Sequence, residues 1–288
     1  MLVYDANTFK KEKELNWNYE GWGITHFNNQ LIISTGSSNL YFVNPATLAI
    51  EKTLGVYDNN GYIDDIHGWD AFYEDGTPED GDGHGSHVSG IIGAVGNNGV
   101  GVTGINQVAS IINVRIFNED GYTTDAAILG GYDYISALLD NGVSIAAVNQ
   151  SWGGGIDYGD PELANIVSMF YFYASYHGLY NTVWVVSAGN SSLDHDNLLY
   201  QRFPDPIQAP NIISVASTDA NDGLSGFSDY GKHTVEIGSP GTDILSTVVG
   251  GWEFYSGTSM ASPYVTGAIA LAANLYPETI CLVLFVPN

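Results

Sequence analysis

Hydrophobic and polar positions follow a two-residue period in the first stretch of the chain. Short runs such as 30–34 (QLIIS) and 39–43 (NLYFV) alternate apolar and polar residues. Asn-Asn, Gly-Ser-Ser and Asn-Pro sequences, which favour turns, separate these runs. Alternation between turns is typical of antiparallel strands, and no helical period is visible here. We therefore predict an antiparallel β-meander over residues 1–56.

The pattern changes from residue 57 onward to buried strands that alternate with helices. A stretch at about 123–141 has apolar residues at helical spacing. Alternation of continuous apolar strands with helices indicates an α/β fold, a doubly wound parallel sheet with flanking helices, over 57–276. The predicted strands are 109–117, 143–149, 182–188 and 211–217, and the predicted apolar helix face is Ile128, Tyr132, Ile135, Leu138 and Leu139.

The last stretch, 277–288, is an apolar tail without amphipathic period or charge. Its pattern gives no specific structural role, so we treat it as a third segment of unknown role. The sequence also contains no long internal repeat and no low-complexity segment.

Charge restricts the classes of partner. Seven basic residues against 32 acidic ones give a net charge of -25. Such a field repels nucleic acid and anionic membranes, so we expect neither as a partner. It suits extracellular or salt-tolerant conditions or cation binding, and equally a surface that is merely soluble.

Three further features bear on the compartment. The single cysteine, Cys281, excludes an intramolecular disulfide framework. The first residues lack a charged segment followed by an apolar one, so no signal peptide is expected. No window approaches 18 uninterrupted apolar residues, which argues against a membrane-spanning helix. The oligomeric state cannot be read from these features.

Residues 256–263 (SGTSMASP) precede a helical stretch of small and apolar residues. Pro263 is tolerated only near the start of a helix, which places Ser259 at or just before the first turn. A hydroxyl there lies in the positive end of the helix dipole. A serine in that position can be an ordinary N-cap or a nucleophile.

Residues 82–90 (DGHGSHVSG) hold His84 and His87, three positions apart and flanked by glycines. On a helix this spacing places both rings on one face, so a metal site is one interpretation. No cysteine or third histidine has a matching spacing. The glycines let another backbone approach closely, as a general base beside a substrate cleft requires, and we favour a structural role for His87.

Together these two motifs, in this order, resemble the subtilisin-like serine peptidases. Two further matches lie between them, residues 148–154 (VNQSWGG) and 185–190 (VVSAGN). The resemblance covers about three quarters of the chain and implies a serine endopeptidase that hydrolyses polypeptides. It also implies the subtilisin-like fold and an extracellular location.

The resemblance assigns a role to each matching residue. Ser259 would attack the scissile carbonyl, with His84 as general base. The Asn190 side chain and the Ser259 N–H would hold the oxyanion. The substrate-binding residues would be Ser151, Trp152, Gly153 and Gly154, with Trp152 restricting the S1 pocket.

One expected residue has no match. The family orients its histidine with an aspartate on a strand that ends in an Asp-Thr-Gly or Asp-Ser-Gly motif, and none precedes His84. The nearest form, 31–36 (LIISTG), has Ser34 where the acid would stand. Segments within 1–56 instead resemble blades of β-propeller glutaminyl-peptide cyclotransferases, so a fused or truncated gene product is expected.

Calcium is the cofactor that the resemblance implies. An oxygen-rich stretch with Asp58 and Asp65 is similar to a calcium-binding insert of the family, and Asn98 lies in a loop similar to its structural calcium loop. The acidic run between Glu74 and Asp82 is either a solvated loop or part of a metal site.

Three functional hypotheses follow. The first is an active endopeptidase. The second is a catalytically impaired or inactive subtilisin-like chain, because the triad aspartate is absent. The third, an aminoacyl cyclase, is rejected for the whole chain because 1–56 is too short to close a propeller.

Overall fold

The computed structural model describes residues 2–4, 11–14, 23–27, 30–34, 39–55, 61–62, 65, 67–155, 161–197, 202–203, 209–273 and 281–286. The chain divides into two compact units, residues 1–66 and 67–288. The boundary after residue 56 that the sequence suggests stays a prediction.

The first unit contains only antiparallel strands in its described part. Two of them form a hairpin, and four form a sheet in the order β3-β4-β5-β6, which confirms the predicted meander. Ile33, Val43 and Leu48 form its buried cluster. The strands are β1 (Leu2–Tyr4), β2 (Lys11–Glu14), β3 (Gly23–Phe27), β4 (Gln30–Ser34), β5 (Asn39–Val43) and β6 (Ile50–Gly55).

The second unit contains the remaining elements. Its strands are β7 (Gly68–Asp70), β8 (Ile111–Arg115), β9 (Ile145–Gln150), β10 (Gly154–Gly155), β11 (Val183–Ser187), β12 (Arg202–Phe203), β13 (Ile212–Thr218), β14 (Ile237–Pro240), β15 (Ile244–Val248), β16 (Gly251–Tyr255) and β17 (Cys281–Val286). Its helices are α1 (His84–Gly93), α2 (Asp125–Asp140), α3 (Pro161–Gly178) and α4 (Thr258–Ala273).

A seven-stranded sheet in the order β14-β13-β11-β9-β17-β8-β7 forms the centre of this unit, and every pairing in it is parallel. Side chains of consecutive strand residues point to opposite faces. Asn149 on β9 accepts a hydrogen bond from Thr266 of α4, whereas Gln150 accepts one from Tyr132 of α2. Helices therefore cover both faces, which confirms the doubly wound α/β fold.

The elements predicted from periodicity match the structure closely. β8, β9, β11 and β13 lie within or one residue beyond the four predicted apolar runs, and α2 lies within the predicted helix. Thr124 caps α2, since its side chain accepts from the Ala127 N–H. All five residues of the predicted apolar face are buried.

The tail after Pro277, which received no role from its pattern, contains a central strand. β17 pairs with β8 on one side and β9 on the other, for example through Leu284, which lies opposite both Asn113 and Asn149. Because parallel strands need partners on both sides in a sheet covered by helices, β17 satisfies backbone groups that would otherwise be buried without hydrogen bonds.

Candidate active site

Ser259 is the second residue of α4, as its motif predicts. Its Oγ donates a hydrogen bond to the Ser151 carbonyl at 3.0 Å. Pro263 lies within the helix and has no N–H to donate to the Ser259 carbonyl four residues earlier. The Ser151 hydroxyl donates to that carbonyl instead, at 3.0 Å. This contact joins the end of β9 to the first turn of α4.

His84 is the first residue of α1, and the acidic residues before it cap the helix. Asp80 accepts hydrogen bonds from the N–H groups of Gly83 and Ser86, at 2.9 and 2.6 Å. Asp82 accepts one from the His84 N–H at 2.8 Å. Carboxylates at a helix N-terminus are stabilised by the helix dipole. This part of the acidic run therefore caps a helix.

The imidazole of His84 is largely enclosed, and burial lowers its pKa below the usual value. The charges of Asp82 and Asp80 oppose that shift, while His87 adds to it. Nδ1 of His84 is buried and has no hydrogen-bond partner among the described residues. That nitrogen is the one that an orienting acid would contact.

Asp70, an acid upstream of His84, serves another purpose. Its carboxylate is 1% exposed and forms an ion pair with Arg115 at 2.9 Å. Its other oxygen accepts from the N–H groups of Phe72 and Tyr73. Asp70 therefore stabilises the turn after β7, and neither of its oxygens accepts a hydrogen bond from His84.

His87 has the structural role that we favoured. The ring is fully buried, and Nε2 lies 3.0 Å from the Ile244 carbonyl and 3.1 Å from the Glu253 carbonyl. It also stacks on Tyr255, with ring centroids 4.3 Å apart. A nitrogen that donates to carbonyls is unavailable to a metal ion, and no group of three metal-ligating side chains in the described part of the chain includes His84 and His87. These contacts support the structural role of His87 over the metal interpretation.

Asn190 follows β11, and Thr258 fixes its side chain. Oδ1 of Asn190 accepts from Thr258 N at 2.8 Å and from Thr258 Oγ1 at 3.0 Å. Thr258 Oγ1 also accepts from the Gly189 N–H at 3.0 Å. With Oδ1 occupied, the Nδ2 hydrogens of Asn190 remain available as donors.

One cleft of about 380 Å³ brings the three predicted catalytic residues together. Its wall on the β16 side includes Phe254, which is 66% exposed. The residues around the cleft are His84, Asn190, Phe254, Tyr255, Ser256, Gly257, Ser259 and Met260. No hydrogen bond links His84 to Ser259 among the contacts of the described chain.

The predicted substrate-binding residues lie beside this cleft rather than in its lining. Ser151 is 2% exposed and contacts Ser259 and Ser262. The Trp152 ring packs edge-on against Phe117 at 5.7 Å. Gly153 is exposed, and Gly154 begins β10, opposite Phe203 of β12.

The described residues include no cluster of acidic side chains at the calcium sites that the resemblance implies. Asn98 is exposed and uses Oδ1 to accept from the Val100 N–H at 3.0 Å. Asp58 lies outside the described residues, and Asp65 is described without its neighbours. Within those ranges, no group of three histidine, cysteine, aspartate or glutamate side chains could hold a metal.

Sequence reasoning missed Thr258 as a functional residue. Thr258 directly precedes Ser259 in the same motif, so the sequence alone was enough to place it near the site. Its contact with Asn190 joins residues 68 positions apart and depends on the packing of α4 against β11.

Comparison with known proteins decides the family. The model of the subtilase family matches residues 21–283. The chain belongs to the subtilase family. This match begins inside the segment that we compared with propeller blades, and that second resemblance stays a prediction.

Three subtilase relatives illustrate the similarity. Thermitase of Thermoactinomyces vulgaris is 37% identical over 73% of this chain and 67% of its own length. The extracellular basic protease of Dichelobacter nodosus is 34% identical over 68% of this chain and 33% of its own length. The crystal structure of a cold-adapted subtilisin-like serine proteinase matches with a TM-score of 0.57 and 30% identity, covering 72% of this chain and 67% of its own.

These relatives make the chain a subtilisin-type serine endopeptidase by family, with polypeptides as its substrate class. It spans between a third and two thirds of the length of the relatives described. Among the described residues, no helix is both long and apolar enough to cross a bilayer.

Proposed function

We propose that this chain hydrolyses peptide bonds through an acyl-enzyme on Ser259, with His84 as general base and Asn190 in the oxyanion hole. The observation that carries the proposal is the shared cleft of these three residues, in which Thr258 occupies Asn190 Oδ1 and leaves Nδ2 as a donor. Preorganised donors of this kind stabilise the charge that develops in the transition state.

The first step moves one proton and forms one bond. Ser259 Oγ turns from the Ser151 carbonyl toward His84, which accepts the hydroxyl proton as Oγ attacks the scissile carbonyl carbon. The carbonyl oxygen becomes an oxyanion that accepts from Asn190 Nδ2 and the Ser259 N–H. As the second residue of α4, Ser259 has no carbonyl four positions earlier within the helix to take its N–H.

The second step breaks the peptide C–N bond. His84 returns the proton to the leaving amine, and the acyl group remains on Ser259. Water then attacks the ester with the same proton transfers in reverse order. His84 must be neutral to start, and its burial, which lowers its pKa, favours the neutral form.

Turnover depends on how the imidazolium is stabilised. In subtilisin, removing the orienting aspartate lowers turnover roughly 3 × 10⁴-fold without abolishing the reaction. Nδ1 of His84 has no partner among the described residues, so we expect turnover to be slow. The assay must therefore detect single turnovers.

Labelling with a fluorophosphonate probe tests the proposal. We expect the probe to label the folded wild-type chain and Ser256→Ala, whose serine also borders the cleft, and not Ser259→Ala. Equal labelling of all three, or no labelling of the folded wild-type chain, would contradict it.

Polypeptide recognition is proposed to involve residues 151–154. The contact of Ser151 with Ser259 supports this position beside the nucleophile, and the Trp152 ring at the end of β9 would limit the size of the P1 side chain. Trp152→Ala should raise kcat/KM for bulky P1 residues relative to alanine. An unchanged ratio would contradict that role.

An extracellular location is proposed from the name of the Dichelobacter nodosus relative and from the net charge of -25. Immunodetection in culture fluid and in cells tests it; retention in the cells would contradict it.

Calcium is retained as a proposal from the family resemblance, without any catalytic step. A chelator should lower the melting temperature of the wild-type chain, and Asn98→Ala should reduce that effect if its loop holds the ion. An unchanged melting temperature would exclude both proposed sites.

A further inference from the structure

A buried carboxylate lies beneath the loop that carries Asn190. Asp229 is fully buried, and its Oδ1 accepts two backbone hydrogen bonds, from Ser191 N at 2.7 Å and Leu193 N at 2.9 Å. The two donors lie one and three residues after Asn190 in the chain. An ionised acceptor forms stronger bonds to N–H groups than a neutral one.

The same residue also holds the loop before Asn190. The Asp229 N–H donates to the Gly189 carbonyl at 2.8 Å. The backbone is therefore fixed on both sides of Asn190 by one residue, while Thr258 fixes the Asn190 side chain from α4.

His195 completes the surroundings of this carboxylate. Its Nε2 lies 3.2 Å from Asp229 Oδ2, and both side chains are fully buried. Because a carboxylate only accepts hydrogen bonds, Nε2 of His195 carries the hydrogen. The His195 N–H donates to the Tyr230 carbonyl, and the Tyr230 N–H donates to the Leu193 carbonyl. These backbone bonds join residues 193–195 to the segment that carries Asp229.

The carboxylate is ionised in this environment. Burial raises the pKa of Asp229, but the hydrogen bonds from His195, Leu193 and Ser191 outweigh it and leave the pKa below the usual value. A buried charge is costly unless hydrogen bonds satisfy it, and these contacts do so.

We propose that Asp229 and His195 form a positioning pair that fixes Asn190 for oxyanion stabilisation. This inference rests on the proposed role of Asn190. A displacement of about 1 Å in a catalytic group can cost roughly 100-fold in rate. Asp229 touches no substrate; it acts through the backbone of residues 189–193.

Steady-state kinetics test the pair. Asp229→Ala should lower kcat roughly 100-fold and change KM less than about threefold, since the oxyanion forms only in the transition state. Asp229→Asn should recover most of kcat, because its amide oxygen can accept from Ser191 and Leu193. Asp219→Ala is the matched control: Asp219 also accepts from two N–H groups, those of Asn221 and Gly223, in a different loop.

A double mutant separates positioning from a general effect on the fold. If Asp229 acts through Asn190, then Asp229→Ala should cost less than about threefold in kcat when Asn190→Ala is already present. The full loss in that background, or wild-type kcat in the single Asp229→Ala variant, would overturn the inference.

Hydrogen exchange tests the same placement without turnover. In folded Asp229→Ala, the amides of Ser191 and Leu193 should exchange faster than in the wild-type chain, Asp229→Asn or Asp219→Ala. Unchanged exchange would overturn the inference, whatever the activity. Absence of fluorophosphonate labelling in the wild-type chain would instead overturn the proposed function. If Asp229→Ala does not fold, His195→Ala takes its place in both experiments. We then expect kcat to fall about tenfold and the amides of Ser191 and Leu193 to exchange faster than in the wild-type chain.

Discussion

The Asn190 side chain is oriented by Thr258, whose N–H and hydroxyl both donate to Asn190 Oδ1, at 2.8 and 3.0 Å. This pair of bonds distinguishes the two ends of an otherwise nearly symmetric amide. It holds Oδ1 against the first residue of α4, and Asn190 borders the same cleft as Ser259. The residue before the proposed nucleophile thus orients the side chain that we propose as the second donor of the oxyanion hole.

Asn190→Ala tests that donor. Loss of the equivalent donor in subtilisin costs about 2.7–4 kcal/mol of transition-state stabilisation, so we expect kcat to fall roughly 100- to 1000-fold with little change in KM. Asn221→Ala, at an exposed asparagine in another turn that does not line the cleft, is the control. A rise in KM at constant kcat would mean that Asn190 binds the ground state instead.

The charge of Asp82 favours the protonated form of His84. Burial lowers the His84 pKa, and the charge of Asp82 raises it. Asp82→Asn removes that charge but keeps an oxygen for the His84 N–H. The acidic limb of kcat/KM should therefore move to lower pH. Asp120→Asn is the control, and a limb that stays in place or moves to higher pH would contradict this assignment.

His177 makes stability depend on pH. It is buried, stacks on Trp184 and has Nε2 2.9 Å from Ser136 Oγ. Burial lowers its pKa from 6.5 to about 4, with a small opposing effect of Asp140. Between about pH 6.5 and 4, His177 therefore carries a proton in the unfolded chain and is neutral in the folded chain. Stability should fall as pH falls through that window, by up to roughly 3 kcal/mol.

Urea unfolding at several pH values measures this dependence. His177→Gln retains a group that can bond to Ser136, and it should reduce the slope of unfolding free energy against pH across the window. His233→Gln, at an exposed position, is the control. An equal slope in His177→Gln and the wild-type chain would contradict the assignment to His177.

Leu284 tests the placement of the last strand. It lies in the middle of β17 between β8 and β9. Leu284→Pro removes a backbone donor from the centre of a sheet, which should cost at least about 1–3 kcal/mol of unfolding free energy or prevent folding. Leu284→Val keeps the N–H and is the control. Equal denaturation midpoints for Leu284→Pro and Leu284→Val would show that β17 is not part of the sheet.

The fold of the second unit was largely predictable because local patterns determined its elements. The apolar runs that became β8, β9, β11 and β13 are continuous, as strands covered on both faces must be. The place of β17 was not predictable. Its apolar sequence fits several structures, and its pairing with strands more than 130 residues earlier is a long-range property.

The candidate site was also predictable only in part. Ser259, His84 and Asn190 lie in recognisable motifs, and the structure brings them to one cleft. Asp229 has no motif, and its contacts with Ser191 and Leu193 join segments 38 and 36 positions apart. Such supporting contacts follow from tertiary packing, which a local sequence pattern does not encode.

The central claim is that Ser259 is acylated by substrate, and mass spectrometry of the trapped intermediate tests it most directly. The wild-type chain is mixed with an activated peptide ester, quenched in acid within the first turnover and digested with pepsin. We predict that the fragment containing Ser259 gains the mass of the acyl group, and that the intermediate is absent from Ser259→Ala. Release of product while this fragment stays unmodified, or acylation of another residue in both chains, would contradict the account.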